Sequence, residues 1–339
     1  MNIKKFQNRF DDNFKLNEPL AQKTTLKIGG KAKYFLIVNN SDDLIWAVRE
    51  AQSQNLKYYI IGGGSNLLIA DTGFDGLVIL NQTSKILCQS GMAVVESGVN
   101  LSILLKTLAE QEMGGLEFLA GIPGTIGGAV CGNVEAWGKS ISDIFVSAIV
   151  LGTNGELAKI DKKEMGFGYR TSLVKQAIIK NKRFPPVIIS VNIKISPNTK
   201  EGILRIINNY ITIRAKKNPV GFSAGCVFKN IYVKNKKEIK DNAKFMIIDN
   251  IIPTGMLIDK LGFKNKRIGK IIVSDKHANF LINLGKGKSS DYYNLISEIK
   301  QKSQKIFGLE LQEEIMRLGD ISKKPESFWS FLKKNEKDK

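Results

Sequence analysis

The sequence predicts a mixed α+β or α/β fold arranged as three consecutive units, and three observations carry that expectation. Short apolar runs bounded by Gly, Asn and Pro alternate with longer segments of helical spacing, so strands and helices are mixed along the chain. Two loops, IIGGGSN (60–66) and GIPGTIGG (121–128), are rich in glycine yet apolar, which marks ordered turns at strand ends. The chain has 339 residues, enough for two or three domains with substantial cores, and no repeat of fixed period divides it.

Residues 1–20 are polar and are expected to be partly loose. The first unit, 20–82, opens with TTLKIGGKAKYFLIVNN (24–40), which reads as strand, Gly-Gly turn and strand. In SDDLIWAVREAQSQN (41–55), Leu44, Ile45, Val48 and Ala51 fall at helical spacing behind Ser41, the expected N-cap. LKYYIIGGGSNLLIADTGFDGLVILN (56–81) reads as strand, glycine-rich turn, short strand, turn and strand.

The second unit, 83–213, begins with the alternating SKILCQSGMAVVESGVN (84–100), a pair of strands. A helix over 101–113 ends at Gly114-Gly115. The stretch 115–143 combines glycine with apolar residues, so it is expected to be ordered by what it packs against. FVSAIVLGTNGELAKID (145–161) predicts a hairpin turning at Asn154-Gly155. PPVIISVNIKI (185–195) is a strand and EGILRIINNYITIRAKK (201–217) a helix.

The third unit, 214–320, has its body beyond Asn218-Pro219. It carries SAGCVFKN (223–230), a mixed stretch over 255–285, a helix over 289–308 and a closing strand in LELQEEIMRLGD (309–320). Residues 321–339 form a charged, basic tail expected to be loose, with Phe328, Trp329 and Phe331 as residues able to dock.

Composition excludes several chemistries. No apolar run approaches the roughly 18 residues of a membrane span, and the basic start lacks the apolar core of a secretory signal, so a cytoplasmic location is expected. The three cysteines, Cys88, Cys131 and Cys226, are far apart and odd in number, which argues against a disulfide framework or zinc site. With His277 as the one histidine, metal clusters are not expected, and His277 reads as a structural residue. The net charge of +19 comes mostly from scattered lysines, which favours a solvated surface over nucleic-acid reading, where Arg dominates. Such a charge also attracts an anionic small substrate.

The glycine loops point toward a diphosphate. Glycine lets backbone N–H groups approach phosphate oxygens. IIGGGSN is not GxGxxG and no long helix follows it, so a dinucleotide site of the Rossmann kind is not expected. Two such loops can grip a long diphosphate cofactor from both sides; close-packed strand corners are the alternative.

Seven stretches in order resemble the UDP-N-acetylenolpyruvoylglucosamine reductase (UDP-N-acetylmuramate dehydrogenase) family. They are TTLKIGGKAKYFL, IGGGSNLLIAD, GLEFLAGIPGTIGGAVCGN, GYRTSLV, SAGCVFKN, LIDKLGFKNKRIGKIIVSDKHANFLIN and LELQEEIMRLG, and they cover about 20–320. The resemblance implies an FAD-binding unit of the PCMH (vanillyl-alcohol-oxidase) type in two subdomains, followed by a C-terminal α+β substrate domain. It implies FAD as cofactor, NADPH as reductant and UDP-N-acetylglucosamine enolpyruvate as substrate. FAD contacts fall on Gly62, Gly63, Gly64, Ser65 and Asn66, and on Gly121, Ile122, Pro123, Gly124, Thr125, Gly127, Gly128 and Ala129, with Asn133 nearby.

The resemblance also implies a catalytic trio of Arg170 in GYRTS, Glu314 in EEIMRLG and Cys226 in SAGCVFKN. In that chemistry flavin N5 delivers hydride to the terminal enolpyruvyl carbon. Arg170 suits the carboxylate where negative charge builds, and a protonated Glu314 suits the intermediate. Cys226 stands where the family has a serine proton donor, and a thiol near its usual pKa of about 8.5 is a far better acid than an alcohol. Arg214 and Lys217, in RAKKNP, and Lys229 and Asn230 match substrate-contacting positions, with Lys266 and Arg267 as further basic candidates. A monomer is expected, with no nucleic-acid partner and no membrane insertion.

The chain departs from the family pattern in more than the cysteine. Met316 replaces a common Arg, Ile231 replaces a usual Pro, and the short stretch between Arg170 and Cys226 matches the branch without an extra tyrosine-bearing loop. Two other readings stay open: another FAD oxidoreductase of the same fold, and a basic polyanion-binding protein with a lapsed site.

Overall fold

The computed structural model describes residues 3–233, 235 and 239–320; the tail with Phe328, Trp329 and Phe331 lies outside them. The chain packs as two compact units. One comprises Met1–Glu18, Ala32–Ser65 and Asp75–Asn218, and the other Pro19–Lys31, Asn66–Phe74 and the described residues from Pro219 onward. Two short excursions of the N-terminal half therefore pack with the C-terminal residues, an arrangement that consecutive ranges do not anticipate.

The first unit has two cores. In one, strands run in the order Phe14–Pro19, Lys31–Val38, Phe74–Asn81, Tyr58–Ile61. The last two pair in parallel, with Ile60 opposite Ile79, because the connection over 62–73 is long enough to return the chain to the same end of the sheet. The helix Ser41–Ser53 buries Leu44, Ala47, Val48 and Ala51. Its N-cap is Asn40, one residue before the expected Ser41: Asn40 Oδ1 accepts the Asp43 N–H at 2.8 Å, while Ser41 Oγ donates to Glu96 at 2.7 Å.

The expected loose N-terminus is instead folded. A helix spans Ile3–Phe10, and Phe6 is wholly buried. Its ring centroid lies 5.5 Å from Phe14 and 5.4 Å from Trp46. Three phenylalanines at four-residue spacing (Phe6, Phe10, Phe14) supply the apolar area that polar neighbours mask in an average over the segment.

The second core of this unit lies under an antiparallel five-stranded sheet, ordered Leu157–Asp161, Phe145–Leu151, Val187–Lys194, Met92–Glu96, Ile86–Gln89. Alternation puts Ala93, Val95, Ala148, Val150, Val191 and Ile193 on one face. The helix Leu101–Glu110 covers it with Leu101, Leu104, Leu105 and Leu108. That helix stops short of the expected residue 113, because Met113–Gly114 pairs with Ser196–Pro197. The expected hairpin turns at Gly155, whose φ is +78°.

In the second unit, the helix Ser289–Phe307 buries Tyr292, Leu295, Ile296 and Ile299 completely, the 0, 3, 4, 7 spacing of one face. Asp71 accepts the Ser289 N–H at 2.8 Å and caps the helix from far away in sequence. Arg267–Ile268, Ile271–Val273 and Leu281–Asn283 form a meander, and Met316–Leu318 pairs in parallel with Leu67–Ile69. The closing strand is thus confined to three residues.

Phe6→Ala should cost about 3–5 kcal/mol, read as a shift in the urea midpoint. Leu16→Ala, at a side chain 50% exposed in the same region, should change it by less than about 0.5 kcal/mol.

Candidate active site

In the first unit the two glycine loops meet each other. A Cβ on Gly62 would collide with Thr125 Oγ1, and one on Gly63 would lie 2.8 Å from Gly124 Cα. Ser65 Oγ donates to Pro123 O at 2.8 Å. Glycine is therefore required at Gly62 and Gly63 by close backbone approach. The joined loops carry no carboxylate over 62–66 or 121–129 and offer backbone amides with the Ser65 and Thr125 hydroxyls. That donor set fits the diphosphate of FAD.

The short helix Ile126–Gly132 follows, and its first turn is satisfied within the unit. Ile126 N–H donates to Val99 O and Gly127 N–H to Ser97 O, both at 2.9 Å, and Thr125 Oγ1 accepts from Gly128 N–H at 3.4 Å. Ala129 is buried in the core. Loop amides, rather than this helix end, are thus the groups suited to an anion.

Arg170 sits at the tip of a tight turn closed by two hydrogen bonds of 3.2 Å between Gly168 and Thr171. Its φ is +55°, a region that costs free energy for a residue with Cβ and that collects at functional sites. The surroundings hold it there. Asn133 Nδ2 donates to Gly168 O at 3.0 Å and its Oδ1 accepts from Ser142 N–H, while buried Ser172 donates to Cys131 O at 2.7 Å. Asn133 therefore spends its side chain bracing the Arg170 turn.

Arg214 and Lys217 converge on an aromatic residue that sequence reading missed. Trp137, 38% exposed, stacks on Tyr210 with centroids 4.9 Å apart. The Arg214 guanidinium is 5.5 Å and the Lys217 ammonium 5.8 Å from the Trp137 ring centre. Arg214 Nε also donates to Ala120 O at 2.8 Å, beside the second glycine loop. Trp137 and Gly138 form a two-residue turn with φ of +57° and +74°, a place where Asn-Gly is usual. The available signal was Tyr210, Arg214 and Lys217 at 0, 4, 7 spacing on one helix face.

In the second unit Cys226 is half-buried and begins a short extended segment bonded on both sides. On one side Cys226 pairs with Phe280, and Val227 N–H donates to Asn279 O at 2.9 Å. On the other side Phe228 pairs with Glu313, Glu314 N–H donates to Val227 O at 2.8 Å and Lys229 N–H to Gln312 O at 2.9 Å. Cys226 and Glu314 are thereby carried on neighbouring strands. Asn66 Nδ2 donates to Glu314 O at 3.2 Å, and Asn66 O accepts Met316 N–H at 2.9 Å, so Asn66 braces Glu314.

Glu313 and Glu314 separate clearly in role. Glu313 accepts from Arg317 Nε at 2.9 Å and pairs with Lys300 at 3.3 Å, while Arg317 also lies 4.6 Å over the Tyr293 ring. Arg317 is thus turned to Glu313, one position beyond Met316. Asn230 Oδ1 accepts Thr254 N–H at 3.1 Å, and Lys229 O accepts the Thr254 hydroxyl at 2.5 Å. Lys266 pairs with Glu298 over Phe263, and Arg267 Nε donates to Gly269 O at 2.6 Å, so both serve the surface of this unit.

His277 is structural, as its surroundings show. Its Nδ1 accepts Asn279 N–H at 3.3 Å, its ring packs 5.0 Å from Phe280, and a Cβ on Gly255 would lie 2.9 Å from Cε1. Burial holds its pKa below the usual value of 6.5. Cys131 lies deep in the first unit, although part of its surface stays open, and burial pushes its thiol up to about 11. Among the described residues no cluster of His, Cys, Asp and Glu could hold a metal, and no helix is long and apolar enough to cross a membrane.

Residues 32–161 match the family described as FAD binding domain, and residues 217–318 match UDP-N-acetylenolpyruvoylglucosamine reductase, C-terminal domain. The reductase of that name from Streptococcus thermophilus is 34% identical over 308 residues, 90% of this chain and 93% of the relative. That from Clostridium kluyveri is 32% identical over 311 residues, 91% and 94% of the two chains. The crystal structure of the Thermus caldophilus reductase is similar with a TM-score of 0.69 and 29% identity, covering 90% of this chain and 98% of that one. These matches bear out the expected architecture of a PCMH-type FAD-binding part followed by the C-terminal domain of this family.

Because His277 is held neutral in the fold, its protonation favours the unfolded chain. Its contribution to stability is present above about pH 6.5 and is lost as pH falls toward its folded pKa. Denaturant midpoints should drop as pH falls below about 6.5, and His277→Gln should flatten that drop.

Proposed function

Since the chain belongs to the UDP-N-acetylenolpyruvoylglucosamine reductase family, we propose that it reduces UDP-N-acetylglucosamine enolpyruvate to UDP-N-acetylmuramate with FAD and NADPH, a step of peptidoglycan precursor synthesis in the cytoplasm. It is an FAD-dependent oxidoreductase. The substrate's double bond gains a hydride at its terminal carbon and a proton at the other, while NADPH is oxidised to NADP⁺. Bound FAD supplies the hydride-transfer chemistry. The residues of this chain hold, orient and protonate.

The joined loops around Gly62–Ser65 and Gly121–Thr125 would hold the FAD diphosphate through their amides. Arg170 binds the substrate carboxylate with its fork of donors and stabilises the charge that accumulates as hydride arrives. The left-handed backbone at Arg170 supports this role, since strain there is maintained by the Asn133 and Ser172 braces. Glu314, in its protonated form, hydrogen-bonds the intermediate, and Cys226 delivers the proton.

One observation carries the reading: Glu314 N–H bonds to Val227 O at 2.8 Å, so the carboxyl group and the thiol stand on one hydrogen-bonded frame. Glu313 is excluded from the role by its ion pairs with Arg317 and Lys300. Trp137, backed by Tyr210 and flanked by Arg214 and Lys217, suits a nucleotide base and its diphosphate.

An anaerobic cuvette tests the activity. The flavin band should bleach with one equivalent of NADPH and return on adding UDP-N-acetylglucosamine enolpyruvate. A band that bleaches and does not return would remove the substrate from this proposal. Cys226→Ser should keep much of the activity and resist thiol reagents. Cys226→Ala should leave reduction by NADPH intact and slow reoxidation; reoxidation at the wild-type rate would contradict the acid role.

A further inference from the structure

The strand frame around Cys226 has a gap, and one side chain closes it. Phe280 pairs with Cys226, and Val227 N–H donates to Asn279 O. The Phe228 N–H and C=O are buried at this edge and need partners there, which the backbone of 277–278 could offer only by running alongside. The backbone turns away instead: Phe280 N–H donates to His277 O at 2.9 Å, and Ser274 Oγ accepts the His277 N–H at 3.3 Å. The Asn279 carboxamide takes the vacated position. Its Oδ1 accepts Phe228 N–H at 3.0 Å and its Nδ2 donates to Phe228 O at 2.8 Å.

A primary carboxamide has the donor and acceptor of a peptide group, so this is a strand pairing made by a side chain. Asn279 is 3% exposed, and both bonds are shielded from water. His277 Nδ1 fixes the Asn279 backbone through its N–H. N-terminal to the cysteine, Gly225 has φ +76° and a Cβ there would meet no atom within 4 Å. The chain before Cys226 is thus not crowded at Gly225, and the residues after it are clamped.

We infer that Asn279 is a positioning residue for proton delivery: by completing the pairing of Phe228 it fixes the direction of the Cys226 side chain relative to Glu314. The inference rests on the reading of Cys226 as the acid. Asn279 itself touches backbone only. Its effect on the reaction therefore runs through the placement of the thiol, and it has no part in hydride transfer from NADPH.

The test uses full-length FAD-loaded protein in anaerobic stopped flow. Asn279→Asp keeps the acceptor for Phe228 N–H and replaces the donor by an oxygen facing Phe228 O; Asn279→Ala removes both bonds. Asn279→Asp should reduce with NADPH within about twofold of wild type and reoxidise with UDP-N-acetylglucosamine enolpyruvate roughly ten- to a hundredfold more slowly, with KM unchanged. In D₂O, the deuterium at the new stereocentre should lose its single-face preference, a change that general destabilisation does not produce. Should Asn279→Ala fail to fold, Asn279→Asp carries the test. Equal slowing of both half-reactions would make Asn279 merely structural and overturn the inference. Cys226→Ala is measured alongside. If it is slow while Asn279→Asp reoxidises at the wild-type rate, the inference is wrong and the acid stands. If Cys226→Ala itself reoxidises normally, the acid reading fails and takes the inference with it.

Discussion

The constraint on which the second unit depends is the bonding of a three-residue extended segment, Cys226–Phe228, on both of its edges. Such a segment is too short to hold a conformation by itself. Here 312–314 bonds one edge and 279–280 the other, through backbone bonds and the Asn279 side chain. Val227 and Phe228, each 1% exposed, anchor the same segment in the apolar core. Fixing the backbone on two sides and the flanking side chains below leaves Cys226 few ways to point. The residues that look functional in this unit divide accordingly: Cys226 and Glu314 ride on the frame, and Asn66, Asn230 and Asn279 hold it.

The first unit solves a similar problem with strain and bracing. Arg170 occupies a left-handed conformation that would relax in a free loop. The side chains of Asn133 and Ser172 prevent that through part-buried hydrogen bonds that offset the cost. The glycine loops follow the same logic. Their glycines are needed first for loop-on-loop contact, and the exposed amides that remain are what suits them to a diphosphate.

Most long elements were legible in the sequence because their apolar spacing is strong: the helix at Leu101, the five strands beneath it and the helix at Ser289 follow period and turn chemistry directly. What periodicity could not reach depends on partners distant in sequence. The N-terminal helix is held by Trp46, and the start of the 289–307 helix is capped by Asp71. The excursions 19–31 and 66–74 pack with the described residues from Pro219 onward. The candidate site shows the same division. The family motifs point to Arg170, Cys226 and Glu314. Trp137 lay hidden in a turn whose composition suggests no aromatic function. Asn279 sits in SDKHANF beside the one histidine, and its role becomes visible only when the backbone leaves a ladder position empty.

Amide hydrogen exchange tests the frame most directly. If Cys226–Phe228 is bonded on both edges as described, the amides of Val227, Phe228, Lys229 and Glu314 should exchange together in the slowest class of the second unit, with those of the buried helix at Ser289–Phe307. Fast, loop-like exchange at Val227 and Phe228 beside a protected helix would contradict the frame, and with it the account of how the thiol and Glu314 are held together.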